Sequence, residues 1–325
     1  DNDRISVRGF SMGGAACWQF AVLYSDRWFA ANPGAGFSET PEFLKFFQKE
    51  KLVPYWWEEK LWRWYDADDS AINLFHAPIV AYSGEKDIQK QAADVMESAL
   101  AKEGISMVHI IGPDSGHRIH SDSQQLIERK MASLAKAGNE IVPTTVHKVT
   151  YSLKYNRQYW ITIDALIEHW EAARVDAKIL GPSSFEITST GTTGLSFRMD
   201  PGFCPFDITR PVQLTINGKK VRLPGPQSDR SWKASVHLAG SKWVAGKPDV
   251  VALVKKHGLQ GPIDDAFMDS FLMVTPTAES MTPVIGDWVV REQQHAIDQW
   301  RQHFRGHARV KKDTDVTAED IANHH

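Results

Sequence analysis

The chain has 325 residues, 24% charged and 42% hydrophobic, with a formal net charge of -3. That balance excludes a disordered chain, and Gly and Pro are too few for a fibrous one. It also leaves no basic surface for nucleic acid, and no apolar run approaches the ~20 residues a membrane span needs.

The length suggests about two domains. The chain opens on Asp1-Asn2-Asp3-Arg4, with no signal peptide and no initiator Met, which reads as a terminus that is not the gene's own. Up to about residue 140, strand and helix patterns alternate. Arg4–Gly9 reads as a strand and Gly13–Tyr24 as a helix of small and apolar residues. Trp28–Asn32 reads as a strand closed by the turn Asn32-Pro33-Gly34. Ala77–Ser83 reads as a buried strand and Ile88–Glu103 as an amphipathic helix ended by Gly104. Ser106–Ile111 is then a strand and Ser121–Ala137 a helix. Such alternation predicts a mostly parallel sheet with flanking helices.

Residues 41–75 interrupt the alternation. Nine aromatic residues lie between Phe43 and Tyr65, interleaved with charges, which predicts amphipathic helices forming a lid. Within it, Tyr55, Trp56, Trp57 and Trp62 read either as the wall of a substrate pocket or as the lid's own apolar core.

From about residue 145 to 245 the period becomes two. Val149–Leu153, Tyr159–Ile163, Phe185–Thr188, Leu195–Met199, Val212–Ile216, Lys219–Leu223 and Trp232–Val236 read as strands. Asn217-Gly218 between two of them is a hairpin signal. An all-β, sandwich-like module follows from that pattern. From about 258 the α/β pattern returns, with a strand at Phe271–Thr275, a helix at Asp287–Phe304 and a capping box at Thr317–Asp320. The expected domains are therefore 1–142, 143–250 and 258–325, the last being the incomplete start of a second α/β unit.

The chemistry concentrates in the first domain. Gly9-Phe10-Ser11-Met12-Gly13-Gly14 follows a strand and precedes a helix, the context of a G-x-S-x-G nucleophile elbow. A sharp turn there lifts the Ser11 hydroxyl above the sheet edge, and the backbone N–H of Met12 can face a developing oxyanion. Asp87, in Gly84-Glu85-Lys86-Asp87, and His117, in Ser115-Gly116-His117, each follow a strand's carboxyl end. The order Ser, Asp, His is that of α/β-hydrolases. His120 is a rival base; Gly116, which frees the backbone before His117, favours the latter.

Residues 1–140 resemble the C-terminal half of an α/β-hydrolase domain of the prolyl-oligopeptidase-like (S9) and esterase type. GFSMGG, YSGEKD and DSGH carry the resemblance, with WYDADDSAINLFHAPIVAYSGEKD and GPIDDAF resembling large multidomain bacterial members. It implies a serine hydrolase acting on a small ester or peptide, without cofactor or metal, in an exported protein. It also implies that the chain is an internal fragment, since the family's earlier strands and second oxyanion donor precede the elbow. The closest alternative is a carbohydrate or feruloyl-type carboxylesterase, and the rival from another class is a binding protein on a hydrolase scaffold.

Other features read as structural. His303 and His307 stand at i, i+4 but lack a placed third ligand. Asp264-Asp265 reads as a turn or helix cap, Cys17 as packing, and Trp160 and Trp170 as sandwich core. Cys17 and Cys204 cannot build a disulfide framework.

Overall fold

The computed structural model describes residues 3–249 and 253–325. They fall into two compact units, one up to Val254 and the other from Lys255.

The first unit begins with strands and helices in the order β1 (Ser6–Phe10), α1 (Met12–Leu23), β2 (Ala30–Gly34), α2 (Trp56–Trp62), β3 (Val80–Gly84), α3 (Lys90–Lys102), β4 (Val108–Gly112) and α4 (Ser121–Ala137). The four strands form one parallel sheet in the order β1-β2-β3-β4. Both faces of this sheet are covered, as parallel sheets require. Ala31 and Ala81 pack with Cys17, Trp18, Met96 and Leu100 under α1 and α3. The alternate residues Ala30, Val80 and Tyr82 pack with Ile127 and Met131 under α4. Buried positions of α3 (Ala92, Ala93, Met96, Leu100) follow the helical period, and Gly104 at φ 73° ends the turn beyond it.

The second strand departs from its expected limits. Asn32-Pro33-Gly34 lies inside β2 and is fully buried, and does not turn the chain. Pro33 has no N–H to give a ladder. The Asn32 side chain compensates: its Nδ2 donates to Val80 O at 2.5 Å while its Oδ1 accepts from Arg8 Nε at 3.2 Å.

After α4 come ten strands: β5 (Thr145–Thr150), β6 (Arg157–Gln158), β7 (Ile161–Leu166), β8 (Ala173–Gly181), β9 (Ser184–Thr190), β10 (Thr192–Met199), β11 (Val212–Ile216), β12 (Lys219–Leu223), β13 (Trp232–Ala239) and β14 (Lys242–Ala245). They make two five-stranded sheets, ordered β14-β13-β10-β7-β6 and β12-β11-β9-β8-β5. One core, centred on Trp160, Phe185, Phe197, Phe206 and Trp232, lies between them. Asn217 and Gly218 both take positive φ and join Ile216 to Lys219 directly, a two-residue hairpin.

Three strand limits differ from the sequence reading. β5 starts at Thr145 and stops at Thr150, where Thr150 Oγ1 donates to Ser152 O at 2.7 Å and turns the chain. Tyr159 and Trp160 form the corner between β6 and β7, with Tyr159 at φ 50°. β8 was not apparent from the sequence. It buries only Ala173, Val175 and Ala177, so its alternation is of low hydrophobicity.

Buried polar groups join the parallel sheet's helices to the sandwich within this unit. Asn73 donates to Val22 O and Val149 O and accepts from Val149 N at 2.8 Å, so its amide is fully satisfied. Ser25 and Gln158, both fully buried, bond each other. Arg174 on β8 reaches Glu103 Oε2 at 2.9 Å.

The second unit holds a β-α-β element: β15 (Met273–Thr275), α5 (Pro283–Phe304) and β16 (Val310–Lys312), the strands parallel. Phe267, Phe271, Trp300 and Phe304 pack together. Thr317 and Asp320 form the expected capping box at the start of α6 (Ala318–Asn323).

Trp232 is fully buried and stacks on Phe197 at 5.8 Å, with its Nε1 donating to Pro224 O. Trp232→Ala is expected to cost about 3–5 kcal/mol by urea unfolding. Phe203→Ala, at a 45% exposed position, should cost within about 0.5 kcal/mol. Equal effects would show that this aromatic cluster does not dominate the sandwich core.

Candidate active site

The turn between β1 and α1 is built by close backbone approach. A Cβ on Gly9 would lie 1.9 Å from Gly13 O, so no other residue fits there. Ser11 takes φ 59° and ψ -121°, a conformation rarely held by a residue with a side chain. It is pinned by its N–H donating to Gly34 O at 2.8 Å and by Ala15 N donating to its carbonyl at 3.0 Å. The helix then begins at Met12, whose side chain is exposed and whose N–H has no acceptor among the described residues. First-turn N–H groups of a helix lack intrahelical partners and favour negative charge.

Asp87 and His117 arrive on the loops after β3 and β4. Those loops touch at Gly84, where a Cβ would lie 2.3 Å from Gly116 O. Backbone bonds lace them: Glu85 N donates to Gly112 O and Lys86 N to Ser115 O, both at 2.9 Å. Glu85 Oε2 accepts from Asp114 N at 2.8 Å.

Asp87 is buried, and its Oδ1 accepts from Gln89 N at 3.0 Å. Its Oδ2 lies 2.9 Å from His117 Nδ1, and His117 Nε2 lies 2.9 Å from Ser11 Oγ. The imidazole packs on Phe10 at 4.9 Å and remains partly open to solvent. Tyr82 steadies the segment beyond it, donating to Arg118 O and accepting from His120 N. His120 turns elsewhere: its Nδ1 is buried and makes no hydrogen bond among the described residues. The structure thus brings Ser11, His117 and Asp87 into one hydrogen-bonded line.

The 41–75 segment is helical in pieces: Thr40–Glu42, a π-helical turn at Phe43–Gln48, α2, and a 3₁₀ stretch at Asp68–His76. Tyr55 stacks on Trp57 at 4.4 Å, while Trp56 is 69% exposed and Trp62 half-buried. Among the described residues, no hydrogen bond or ring contact links these four aromatics to Ser11, His117 or Asp87. Trp64 instead packs on Trp170 of the β-module, and Trp160 is core. His303 sits on α5 with Nδ1 bonded to Gln299 O, and Asp265 is a buried acceptor for Gln260 in a 3₁₀ turn.

The sequence reading missed an acidic group that fastens this segment. Glu39, nearly buried, accepts from the N–H groups of Glu42 and Phe43. Asp66 accepts from the Thr40 N–H at 2.8 Å and hydroxyl at 2.7 Å. The run Asp66-Ala67-Asp68-Asp69 was the signal available. Burial pushes the Asp66 carboxyl up to about 7 and Asp69 to about 6, the neighbouring Asp68 raising both further.

Residues 1–136 match the model of the prolyl oligopeptidase family. This stretch is similar to that family over 136 of the chain's 325 residues. This S9 segment thus resembles the serine hydrolases of the α/β-hydrolase class. No curated protein matches the chain. Among solved structures, a puromycin-hydrolyzing peptidase of Mycobacterium tuberculosis is similar at 18% identity and a TM-score of 0.36, over 42% of this chain and 22% of that one. Dipeptidyl peptidase 4 of Porphyromonas gingivalis is similar at 20% identity and a TM-score of 0.33, over 43% and 20%. S-formylglutathione hydrolase (FrmB) of Staphylococcus aureus is similar at 16% identity and a TM-score of 0.30, over 41% and 55%. The likeness therefore spans about a fifth of each of the two peptidases.

The acidic group gives a pH-dependent stability. A carboxyl whose folded pKa is raised contributes stability that is fully present below its unfolded value near 3.8 and is lost as pH rises through about 7. Asp66→Asn is expected to flatten the fall in unfolding free energy between these values, read by urea titrations at several pH values. An unchanged slope would mean that Asp66 is not the group responsible.

Proposed function

We propose that the S9 segment catalyses acyl transfer to water with Ser11 as nucleophile, His117 as general base and acid, and Asp87 as the group that orients the imidazole. The observation that carries this reading is the pair of 2.9 Å contacts joining Ser11 Oγ, His117 and Asp87. An isolated serine hydroxyl is a weak nucleophile, and a base within hydrogen-bond reach removes that obstacle.

As Ser11 Oγ bonds to the substrate carbonyl carbon, its proton passes to His117 Nε2. The imidazolium so formed is stabilised by buried Asp87, whose Oδ2 also selects the tautomer with the proton on Nδ1. The carbonyl oxygen becomes an oxyanion, and the free N–H of Met12 is the donor available to it from this segment. Collapse breaks the bond to the leaving group, which takes the proton from His117. Water then repeats the sequence on the acyl-Ser11 ester and releases the acid.

The expected substrates are small peptides, with carboxylic esters, including feruloyl or sugar esters, as the closest alternative. In this reading Tyr55, Trp56, Trp57 and Trp62 supply apolar faces to the substrate, since exposed aromatic rings favour stacked apolar groups.

A fluorophosphonate probe is expected to label Ser11 alone, because only an activated hydroxyl attacks phosphorus quickly. Ser11→Ala should abolish labelling and lower turnover by roughly 10⁴- to 10⁶-fold, and His117→Ala by a similar factor. Asp87→Asn should cost as much or somewhat less, whereas His120→Ala should change the rate by less than about tenfold. A dead His120→Ala beside an active His117→Ala would reassign the base. Full activity in Ser11→Ala would leave a binding role for the scaffold instead.

A further inference from the structure

On the sheet face beneath α3, three side chains with metal-ligand chemistry converge. Asp94 and Glu97 stand at i, i+3 on α3, and His109 rises from β4. Their ligating atoms all lie within 4.8 Å of one another. His109 Nδ1 is 3.8 Å from Asp94 Oδ1 and 4.0 Å from Glu97 Oε2. These separations are too long for hydrogen bonds. The imidazole is only 8% exposed. It is thus a buried side chain whose Nδ1 faces two carboxylates and makes no hydrogen bond among the described residues. Its other nitrogen, Nε2, lies 3.0 Å from the buried Ser83 Oγ. With Nε2–H donating to that hydroxyl, Nδ1 offers its lone pair to the carboxylates, the outer-shell arrangement typical of a ligating histidine.

We propose that Asp94, Glu97 and His109 bind one divalent transition-metal ion, with Zn²⁺ as the best match to the donors. One imidazole nitrogen and two carboxylate oxygens suit Zn²⁺, whereas Ca²⁺ and Mg²⁺ take oxygen sets. Tetrahedral Zn²⁺ with bonds of about 2.0–2.2 Å places its ligand atoms ~3.4 Å apart. The half-exposed carboxylates reach that spacing by moving about 1 Å, with water filling the remaining position. Burial holds the His109 pKa below its ordinary value, which keeps the ring neutral and available as a ligand.

The charge balance favours such a cation. Lys90 Nζ meets both oxygens of Asp94, at 2.6 and 2.8 Å. One ammonium facing two carboxylates leaves a net negative site. Lys90 therefore competes for Asp94 without neutralising Glu97. A bound ion would tie α3, which begins three residues after Asp87, to β4, whose following loop carries His117. This inference does not depend on the catalytic reading, and its readout is binding.

The test is a calorimetric titration of ZnCl₂ into the metal-free chain, with Co²⁺ absorption as a geometric probe. Wild type is expected to bind one ion that His109→Asn and Glu97→Gln each weaken at least tenfold. Lys90→Met should bind severalfold more tightly, because the competing ammonium is gone. Zn²⁺ should raise the melting temperature of wild type and not that of either ligand variant. The chain has 13 histidines, so Zn²⁺ binding that both ligand variants leave unchanged lies elsewhere and overturns the proposal. Weaker or equal binding in Lys90→Met overturns the role of Asp94. Glu97 is exposed, so Glu97→Gln keeps the test decisive even where His109→Asn fails to fold.

Discussion

The backbone of the loop after β4 lies directly on Gly84, and the geometry of the candidate site depends on that contact. With a Cβ at this position standing 2.3 Å from Gly116 O, any side chain would push the two loops apart. The loops are then held by main-chain bonds from Glu85 and Lys86, which need no side-chain ordering. His117 therefore reaches Asp87 from a short, laced segment, and the imidazole is oriented by the fold itself. The same principle operates at Gly9, where the start of α1 sits against the end of β1. Two absent side chains thus define where Ser11, His117 and Asp87 meet.

The placement of these residues was legible in the sequence because a strand-turn-helix motif carries its backbone requirements with it. Gly9 before Ser11 and Gly84 before Asp87 mark where close approach occurs, whereas a Cβ at Gly13 or Gly116 would meet nothing within 4 Å. The helical face of α3 and the Asn217-Gly218 hairpin were equally readable, since period and turn chemistry are local properties. What was hidden depended on tertiary partners. Pro33 marked a turn by local rules, yet the Asn32 amide supplies the bond a strand would miss. β8 buries only small and modest side chains, so its alternation looked polar. The convergence of Asp94, Glu97 and His109 joins a helix to a strand beyond it, and no local spacing displays it.

The aromatic-rich segment shows how composition can mislead about destination. Its rings do not form one body: Trp64 packs on Trp170, Phe43 stacks on Phe47, and Tyr55 stacks on Trp57. The polar attachments are the more directional ones. Asp66 fastens Thr40, and Lys60 meets Glu171 at 2.9 Å on the β-module side. Apolar contact is non-directional and permits several arrangements, whereas carboxylate bonds select among them. The burial of Asp66 is also what raises its pKa, so one feature both anchors the segment and makes its stability depend on pH.

Strain at Ser11 ties the site to the middle of the sheet. A non-glycine residue in so sparsely populated a conformation costs on the order of 1–3 kcal/mol. That cost persists because neighbours over-determine the turn. Ser11 N–H is held by Gly34 at the end of β2, and the fully buried β2 is held in turn by its parallel pairing with β1 and by Asn32 reaching β3. The strained serine is therefore coupled to the centre of the sheet, where packing is least able to relax. Loosening β2 would release Ser11 toward an ordinary turn and withdraw its hydroxyl from His117. The stability of the sheet's middle and the readiness of the hydroxyl are thus two consequences of the same set of contacts.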